Sequence, residues 1–549
     1  MIRASRLLAL TWSLTAAAAF AAAPADPWVR IRSANFELFT TASEHAGRDL
    51  VRHFEQVRAF FLQVFGLKSA DRKPVRIVAF HSDKEFAPYR PSEAAAAFFQ
   101  SGSEHDYIVM SSADAEHYQV ATHEYTHLLI GQFSGEIPVW LNEGLAELYS
   151  TLRQDGDKVL VGTPPPGRGQ VLLLQQWIPL DTLLAVGYDS PLYNERARAG
   201  MFYSESWALV HMLNLDHNYR PHLSAMLDAL KTTGGAAAFE QAYGKTLAQV
   251  QADLQEYVSR ETLQGVAFKV SLDKSAESPE IEPHSGMLAK LALAELLAES
   301  PGKVAQATAI YDRIARDYLQ HWEVEAALGR FAFRERHNQD AVTHFAQAAK
   351  LGSDDARMFV DYARALSVTA HAQEAVTELR NAIRLDPALQ EAHYDLGLAL
   401  LRASSWRDAM AELQLARPLK PQQASRYFYG MAYSAYRLGD FIGARNYLEQ
   451  GRPYTKIPEE LSALNGLSET LGPPVVEGVL ESIDCKGKAA RLHVRVKDTE
   501  HHLFLVPDLS AFKDLACESA PNIAVRIEFT AMPLGATGAD GLVRSLTFK

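Results

Sequence analysis

The residues best suited to chemistry are two histidines four apart, His123 and His127, enclosing Glu124 in ATHEYTHLLIGQF (121–133). On a helix, positions i and i+4 share a face. Both imidazoles can therefore reach one Zn²⁺ at about 2.0–2.1 Å, while Glu124 meets a water on the ion as general base without binding the ion itself. Three fixed letters arise by chance in such a chain on the order of a few per cent of the time, so the remaining ligands decide the matter. A catalytic zinc needs a third protein ligand and one open position. The metzincin continuation fails, because Ile130 and Phe133 stand where it requires Gly and His. Downstream, after Ser134-Gly135 and Pro138, the run VWLNEGLAELYSTL (139–152) is predicted helical, with Glu143 and Glu147 on one face. Either carboxylate can complete a His₂Glu site. The short connection from Gly131 to Ile137 predicts two packed, roughly antiparallel helices that aim both motifs into one cleft.

The elements that must position these residues emerge from the whole chain. Its 549 residues, 48% hydrophobic and 22% charged, exclude a disordered polymer and predict three or four domains. A net charge of −12 leaves no overall electrostatic footprint for nucleic acid or anionic lipid. Arg3 and Arg6, the apolar stretch Leu7 to Phe20 and the small residues Ala21 to Ala25 read as a signal peptide over 1–25, cleaved after Ala23 or Ala25. A periplasmic or secreted protein is expected. A membrane span needs about 20 apolar residues, and no later segment is apolar for long enough, so no transmembrane anchor is expected in the mature chain. Residues 26–262 combine the strands VRIVAF (75–80) and DYIVMSS (106–112) with helices from Val120 onward, an α+β domain. The polar stretch SLDKSAESPEIEPHS (271–285) places a linker over 263–287.

Beyond it Ala307, Ala341, Ala375 and Ala409 recur 34 residues apart, and Ala444 follows 35 later. This is the tetratricopeptide period. Leu328-Gly329 and Leu396-Gly397 mark first helices, Phe345, Leu379, Leu413 and Leu448 share a second-helix column, and Pro387 and Pro421 end repeats. About five repeats over 288–458 predict an all-α solenoid, whose concave surface would take a peptide or protein partner. A second linker falls at 459–475. After Pro473-Pro474, alternating segments from VVEGVLESI to GLVRSLTF predict a small β-barrel or sandwich over 476–549, with an OB-like barrel as one form. It lacks the basic and aromatic platform that nucleic acid would need. The only two cysteines, Cys485 and Cys517, lie here and either pair in an oxidising compartment or stay as buried thiols. No phosphate-cradling glycine loop, dinucleotide fingerprint or Gly-x-Ser-x-Gly elbow occurs.

HEYTH followed by WLNEGLAE resembles the gluzincin zinc metallopeptidases, in particular their aminopeptidase and peptidase-MA-like branch. The resemblance covers 26–262 and implies a zincin-like metallopeptidase domain with Zn²⁺ as cofactor and His123, His127 and Glu143 as its ligands. Glu147, one turn later, would orient a histidine or serve as the alternative ligand, because the fifteen residues between His127 and Glu143 are fewer than the aminopeptidases usually have. MFYSESWALVHML (201–213) is similar to the segment in which the family places an oxyanion-donating tyrosine, a role that falls to Tyr203, with His211 as a weaker alternative. The family's amine-gripping Gly-x-Met-Glu-Asn segment is absent, so the resemblance implies an endopeptidase, with DYIVMSS as the edge strand that pairs with substrate backbone. The expected function is zinc-dependent peptide-bond hydrolysis, with repeats that recruit substrate or a protein partner. The alternative is a peptidase-shaped scaffold without turnover, whose repeats bind a protein partner.

Overall fold

The computed structural model describes residues 27–548 apart from 67–74, 94, 134–136, 156–157, 195, 261, 264, 273, 418–420, 473–474, 488, 498–499, 513–514 and 532–538, so the signal peptide read in 1–25 lies outside the described residues. The chain divides into two units, one ending at Asp317 and one beginning at Tyr318.

The first unit contains β1 (Val29–Arg32), β2 (Phe36–Thr40), β3 (Val75–Ala79), β4 (Ala97–Gln100) and β5 (Tyr107–Met110). A separate small sheet is made by β6 (Arg153–Asp155), β7 (Lys158–Val161) and β8 (Val266–Lys269), and β9 (Glu280–Pro283) rejoins the first sheet, whose order is β4-β5-β3-β2-β1-β9. Strands β2, β3 and β5 are parallel, whereas β4 and β1 run antiparallel to their neighbours. Alternation along the strands sorts side chains to two cores. Phe36, Leu38, Ile77, Ile108 and Met110 join Phe54, Tyr125 and Leu129 on one face, while Phe39, Val78, Tyr107 and Val109 meet Ala289, Leu293 and Leu296 on the other. Burial on both faces explains why VRIVAF and DYIVMSS read as nearly unbroken apolar runs.

Three expectations for this unit change. Residues 263–287 are not a linker, since β8, the short helix Lys274–Glu277 and β9 all fall within them. On β9, Ile281 packs against the core while Glu280 and Glu282 pair with Arg32 and Arg30 at 2.7 and 3.2 Å. Charged side chains are normal on an exposed sheet edge, and they gave this strand the composition of a linker. DYIVMSS is not the edge either: β5 lies between β3 and β4 with all four residues buried, and β4 is the outer strand. Finally, the first repeat hairpin, Gly286–Glu299 with Val304–Asp317, belongs to the first unit, where its helix Gly286–Glu299 covers the second face of the sheet.

The second unit carries four further hairpins: Trp322–Arg334 with Asn338–Lys350, Ala356–Val368 with Ala372–Leu385, Gln390–Arg402 with Trp406–Leu415, and Pro421–Arg437 with Phe441–Gly451. The alanines of the 34-residue column are fully buried, and Phe345, Leu379, Leu413 and Leu448 fill the interior beside them, as tetratricopeptide hairpins require. The supposed linker at 459–475 instead contains most of the helix Pro458–Leu471. Its Leu464 and Leu467 close on Ala432 and Leu448, covering the apolar face that a terminal repeat would otherwise expose. Strands β10 (Val475–Asp484), β11 (Ala490–Lys497), β12 (Glu500–Val506), β13 (Ile523–Ala531) and β14 (Gly541–Phe548) then form a closed barrel in the order β10-β11-β12-β14-β13. Leu480, Leu492, Val494, Phe504, Val525 and Ile527 fill it, and Cys485 is joined to Cys517 by a disulfide. No helix among the described residues is long and apolar enough to cross a membrane.

Candidate metal centre

The helix Tyr118–Phe133 has two sides. Ala121, Tyr125 and Leu129, at helical spacing, are buried in the core beneath the sheet, and Thr122 is held by His53 at 2.7 Å. His123 and His127 are left half-buried on the far side. Facing them, the helix Val139–Ser150 buries Trp140, Leu148 and Tyr149, and its two glutamates are just as enclosed, with Glu143 2% and Glu147 4% exposed. Neither is a solvated surface group. This helix lies close against the helix Arg196–Leu215 at Gly144, where a Cβ would stand 2.5 Å from the Ser206 carbonyl oxygen, so the approach requires glycine.

The three side chains converge. His123 Nε2 and His127 Nε2 are 3.1 Å apart, and each is 3.3 Å from Glu143 Oε2. A tetrahedral zinc with bonds of about 2.0–2.1 Å has ligand-to-ligand edges of about 3.3–3.4 Å, close to this triangle. The outer contacts set the inner atoms. His127 Nδ1 lies 3.1 Å from Asn142 Oδ1, which can only accept, and His123 Nδ1 lies 3.5 Å from Glu147 Oε1. With protons on both Nδ1 atoms, each neutral ring turns an Nε2 lone pair towards Glu143. Glu143 Oε2 itself is buried and makes no hydrogen bond of regular geometry among the described residues. Two lone pairs and a carboxylate oxygen facing one point repel one another unless a proton or a cation lies between them, so the donor set fits a divalent metal such as zinc. Without a cation, protons on the imidazoles fill the same place: burial pushes the Glu143 carboxyl up, but protonated His123 and His127 outweigh it and bring it down to about 2. Glu143 is thus ionised, as a ligand must be.

Glu147 occupies a different position. Its carboxylate is gripped in two places by Arg168, at 3.0 and 2.6 Å, and is the group behind His123. Tyr203 lies over the site, its ring 6.2 Å from that of His123 and 6.1 Å from that of Tyr193. Glu124 is half-buried, without a hydrogen-bonding partner among the described residues, and its carboxyl is raised by burial against the lowering influence of His123 and His127. His211 does not reach the site. It is fully buried, with Nδ1 on the Tyr257 hydroxyl at 2.6 Å and Nε2 on the Gly162 carbonyl at 3.0 Å. Three further residues carry no signal of their own in the sequence. Asn142 orients His127, Tyr193 donates to Glu143 Oε1 at 3.1 Å, and Arg168 holds Glu147. Asn142 alone stood inside a segment already singled out, WLNEG.

No family model and no curated protein matches this chain. Among solved structures it is similar to YrrB, a TPR protein with an unusual peptide-binding site, at 18% identity over 33% of this chain and 91% of that one, with a TM-score of 0.29. It is likewise similar to PilW, a widely conserved type IV pilus biogenesis factor, at 18% identity over 34% and 86% with a TM-score of 0.30. PilF of Pseudomonas aeruginosa is similar at 20% identity over 34% and 90%, with a TM-score of 0.27. Scores this low carry no argument about function, and the repeat assignment rests on the hairpins and their 34-residue register.

Proposed function

We propose that this chain is a zinc-dependent metallopeptidase of gluzincin type, an endopeptidase, with tetratricopeptide repeats that recruit a protein substrate or partner. The observation that carries the reading is the triangle of His123 Nε2, His127 Nε2 and Glu143 Oε2, with edges of 3.1, 3.3 and 3.3 Å, backed by Asn142 on His127 Nδ1 and by Glu147 3.5 Å from His123 Nδ1. In this reading His123, His127 and Glu143 hold the ion, which supplies Lewis acidity to the scissile carbonyl and to water. Glu124 takes the proton from the attacking water and returns it to the leaving nitrogen. The Tyr203 hydroxyl donates to the oxygen on which negative charge develops, an interaction that matters most in the transition state. The open side of β4 offers an extended peptide a backbone edge to pair with. The closed barrel is read as an OB-like accessory module, and the Cys485–Cys517 disulfide supports a periplasmic or secreted location.

The scaffold reading shares the repeats and the partner but not the chemistry. Folding alone does not require His123, Glu124, His127 and Glu143 together, and this set favours the enzyme. The deciding experiment measures zinc per chain and follows hydrolysis of a mixed peptide library by mass spectrometry. One zinc per chain with internal cleavage is expected. Stoichiometric zinc without cleavage of any library member would favour the scaffold, and absence of zinc uptake would remove the enzyme reading.

A further inference from the structure

Resting on that reading, we propose that Arg168 is a positioning residue that fixes Glu147 behind His123 and steadies the ring of Tyr203, so that one guanidinium sets both a metal ligand and the oxyanion donor. Arg168 Nε donates to Glu147 Oε2 at 3.0 Å and Nη2 to Oε1 at 2.6 Å, a two-point fork that fixes the plane of the carboxylate. Glu147 Oε1, held this way, lies 3.5 Å from His123 Nδ1. The same guanidinium stands 5.3 Å from the centre of the Tyr203 ring, within the range of a cation–π contact. With both oxygens of Glu147 engaged, Glu143 is the carboxylate left for the ion, which resolves the choice that residue spacing alone leaves open.

The chain delivers Arg168 to this place through a preset loop. Pro164, Pro165 and Pro166 have restricted φ angles, and Gly167, at φ 79°, turns the chain through the left-handed region into the short helix Arg168–Leu174. The loop is tied down before the prolines as well. Thr151 Oγ1 donates to the Thr163 carbonyl at 2.7 Å, and His211 Nε2 donates to the Gly162 carbonyl at 3.0 Å while Nδ1 accepts from the Tyr257 hydroxyl. His211 therefore serves the site at a distance, by anchoring the loop that carries Arg168. Lysine could replace the charge but neither the fork nor the planar face.

The test uses the full chain and zinc alone as probe. Zinc affinity is measured against a competing chelator for the parent, Arg168→Met, Arg168→Lys, Glu147→Gln and the double variant Arg168→Met/Glu147→Gln, and peptide hydrolysis is then followed at saturating zinc. Arg168→Met is expected to weaken zinc binding about ten- to hundredfold, as loss of a group that orients a ligand does, with Arg168→Lys between it and the parent. Glu147→Gln should match Arg168→Met, and the double variant should lose no more than either, because the two residues act as one device. At saturating zinc Arg168→Met should lower kcat with KM unchanged. Zinc affinity at the parent level in both Arg168 variants, or losses that simply multiply in the double variant, would overturn the proposal. A parent that takes up no zinc removes the metallopeptidase reading and this proposal with it, whereas a parent that binds zinc as tightly as its Arg168 variants removes only the role of Arg168.

Discussion

Two clusters of buried charge lie in the first unit, and they are built on opposite plans. On the sheet, Glu37 of β2 receives Arg30 Nε at 2.8 Å and Arg76 Nε at 2.6 Å, Arg76 also reaches Glu295 at 2.7 Å and the Tyr107 hydroxyl at 3.2 Å, and His105 takes the other oxygen of Glu295 at 2.8 Å. Each charged group there faces a partner of opposite sign or a hydrogen-bonding group. At the candidate metal centre, the second partners of His123 and His127 point their remaining lone pairs inward, towards a glutamate oxygen that has no regular hydrogen bond of its own. Buried charge is therefore not in itself a sign of function. A closed network fixes one sheet register and the helix Gly286–Glu299 over it, whereas a set of donors with valence left over is a place prepared for something else.

On this contrast, the open cluster is expected to govern turnover and the closed one stability. The largest effect is expected from Glu124→Gln, which should lower peptide hydrolysis by about 10²–10⁴-fold while zinc content, measured by metal analysis, stays at the parent level. Turnover equal to the parent would break the comparison at its functional end. The next largest is Arg76→Met. Removing one partner of a buried ion pair costs about 3–5 kcal/mol, because Glu37 and Glu295 are then left to face burial with too few cations. Urea unfolding should report that loss with zinc affinity unchanged. A loss of zinc without a loss of stability would mean the two clusters have been assigned the wrong way round.

A third change touches neither cluster and so serves as their control. The disulfide spans 32 residues, and closing such a loop stabilises a domain by about 3–4 kcal/mol through the unfolded chain. Replacing Cys485 and Cys517 by Ser should destabilise the barrel by that amount, seen as an earlier unfolding transition, with zinc affinity and turnover as in the parent. A change in either would show that the barrel contributes to the site.

What was legible in the sequence follows the range of the interactions involved. His123 and His127 could be placed together because helical geometry brings i and i+4 to one face, and the pair Glu143 and Glu147 could be placed opposite them because few residues separate the two helices, whereas the preference for Glu143 came from resemblance. The alanine columns of the repeats were legible for the same reason, as each is set by packing inside one hairpin. Arg168 and Tyr193 were not legible. They arrive from loops and turns whose course depends on contacts far along the chain, and nothing in TPPPGRGQ or SPLYNE announces a metal site. Strand β9 was missed because Glu280 and Glu282 give it the composition of a linker, and strand β4 because AFFQ is only four residues long and follows an alanine run with no alternation to mark it; the first hairpin was assigned to the repeats because its sequence does not reveal that its helix Gly286–Glu299 covers a sheet. Tyr203 came from resemblance alone, and the structure places its ring beside His123.

The smallest effect is a pH dependence, and it probes the closed cluster by titrating its central carboxylate. Burial would raise the Glu37 carboxyl, but Arg76 and Arg30 outweigh it and bring the carboxyl down from 4.5 to about 2. A carboxylate depressed in the folded state adds stability that is fully present above its unfolded value and is lost as pH falls towards the folded one. Between 4.5 and about 2 the unfolded chain binds a proton that the folded chain refuses, so the contribution of Glu37 should decline across that window by on the order of 3 kcal/mol. The measurement compares urea unfolding of the parent and of Glu37→Gln at about pH 6 and about pH 2.5, because the difference between the two proteins isolates this group from the other carboxylates that titrate in acid. The gap should narrow as pH falls. A gap that stays constant would mean that Glu37 titrates alike in both states, and that the arginines around it do not form the closed network on which the comparison depends.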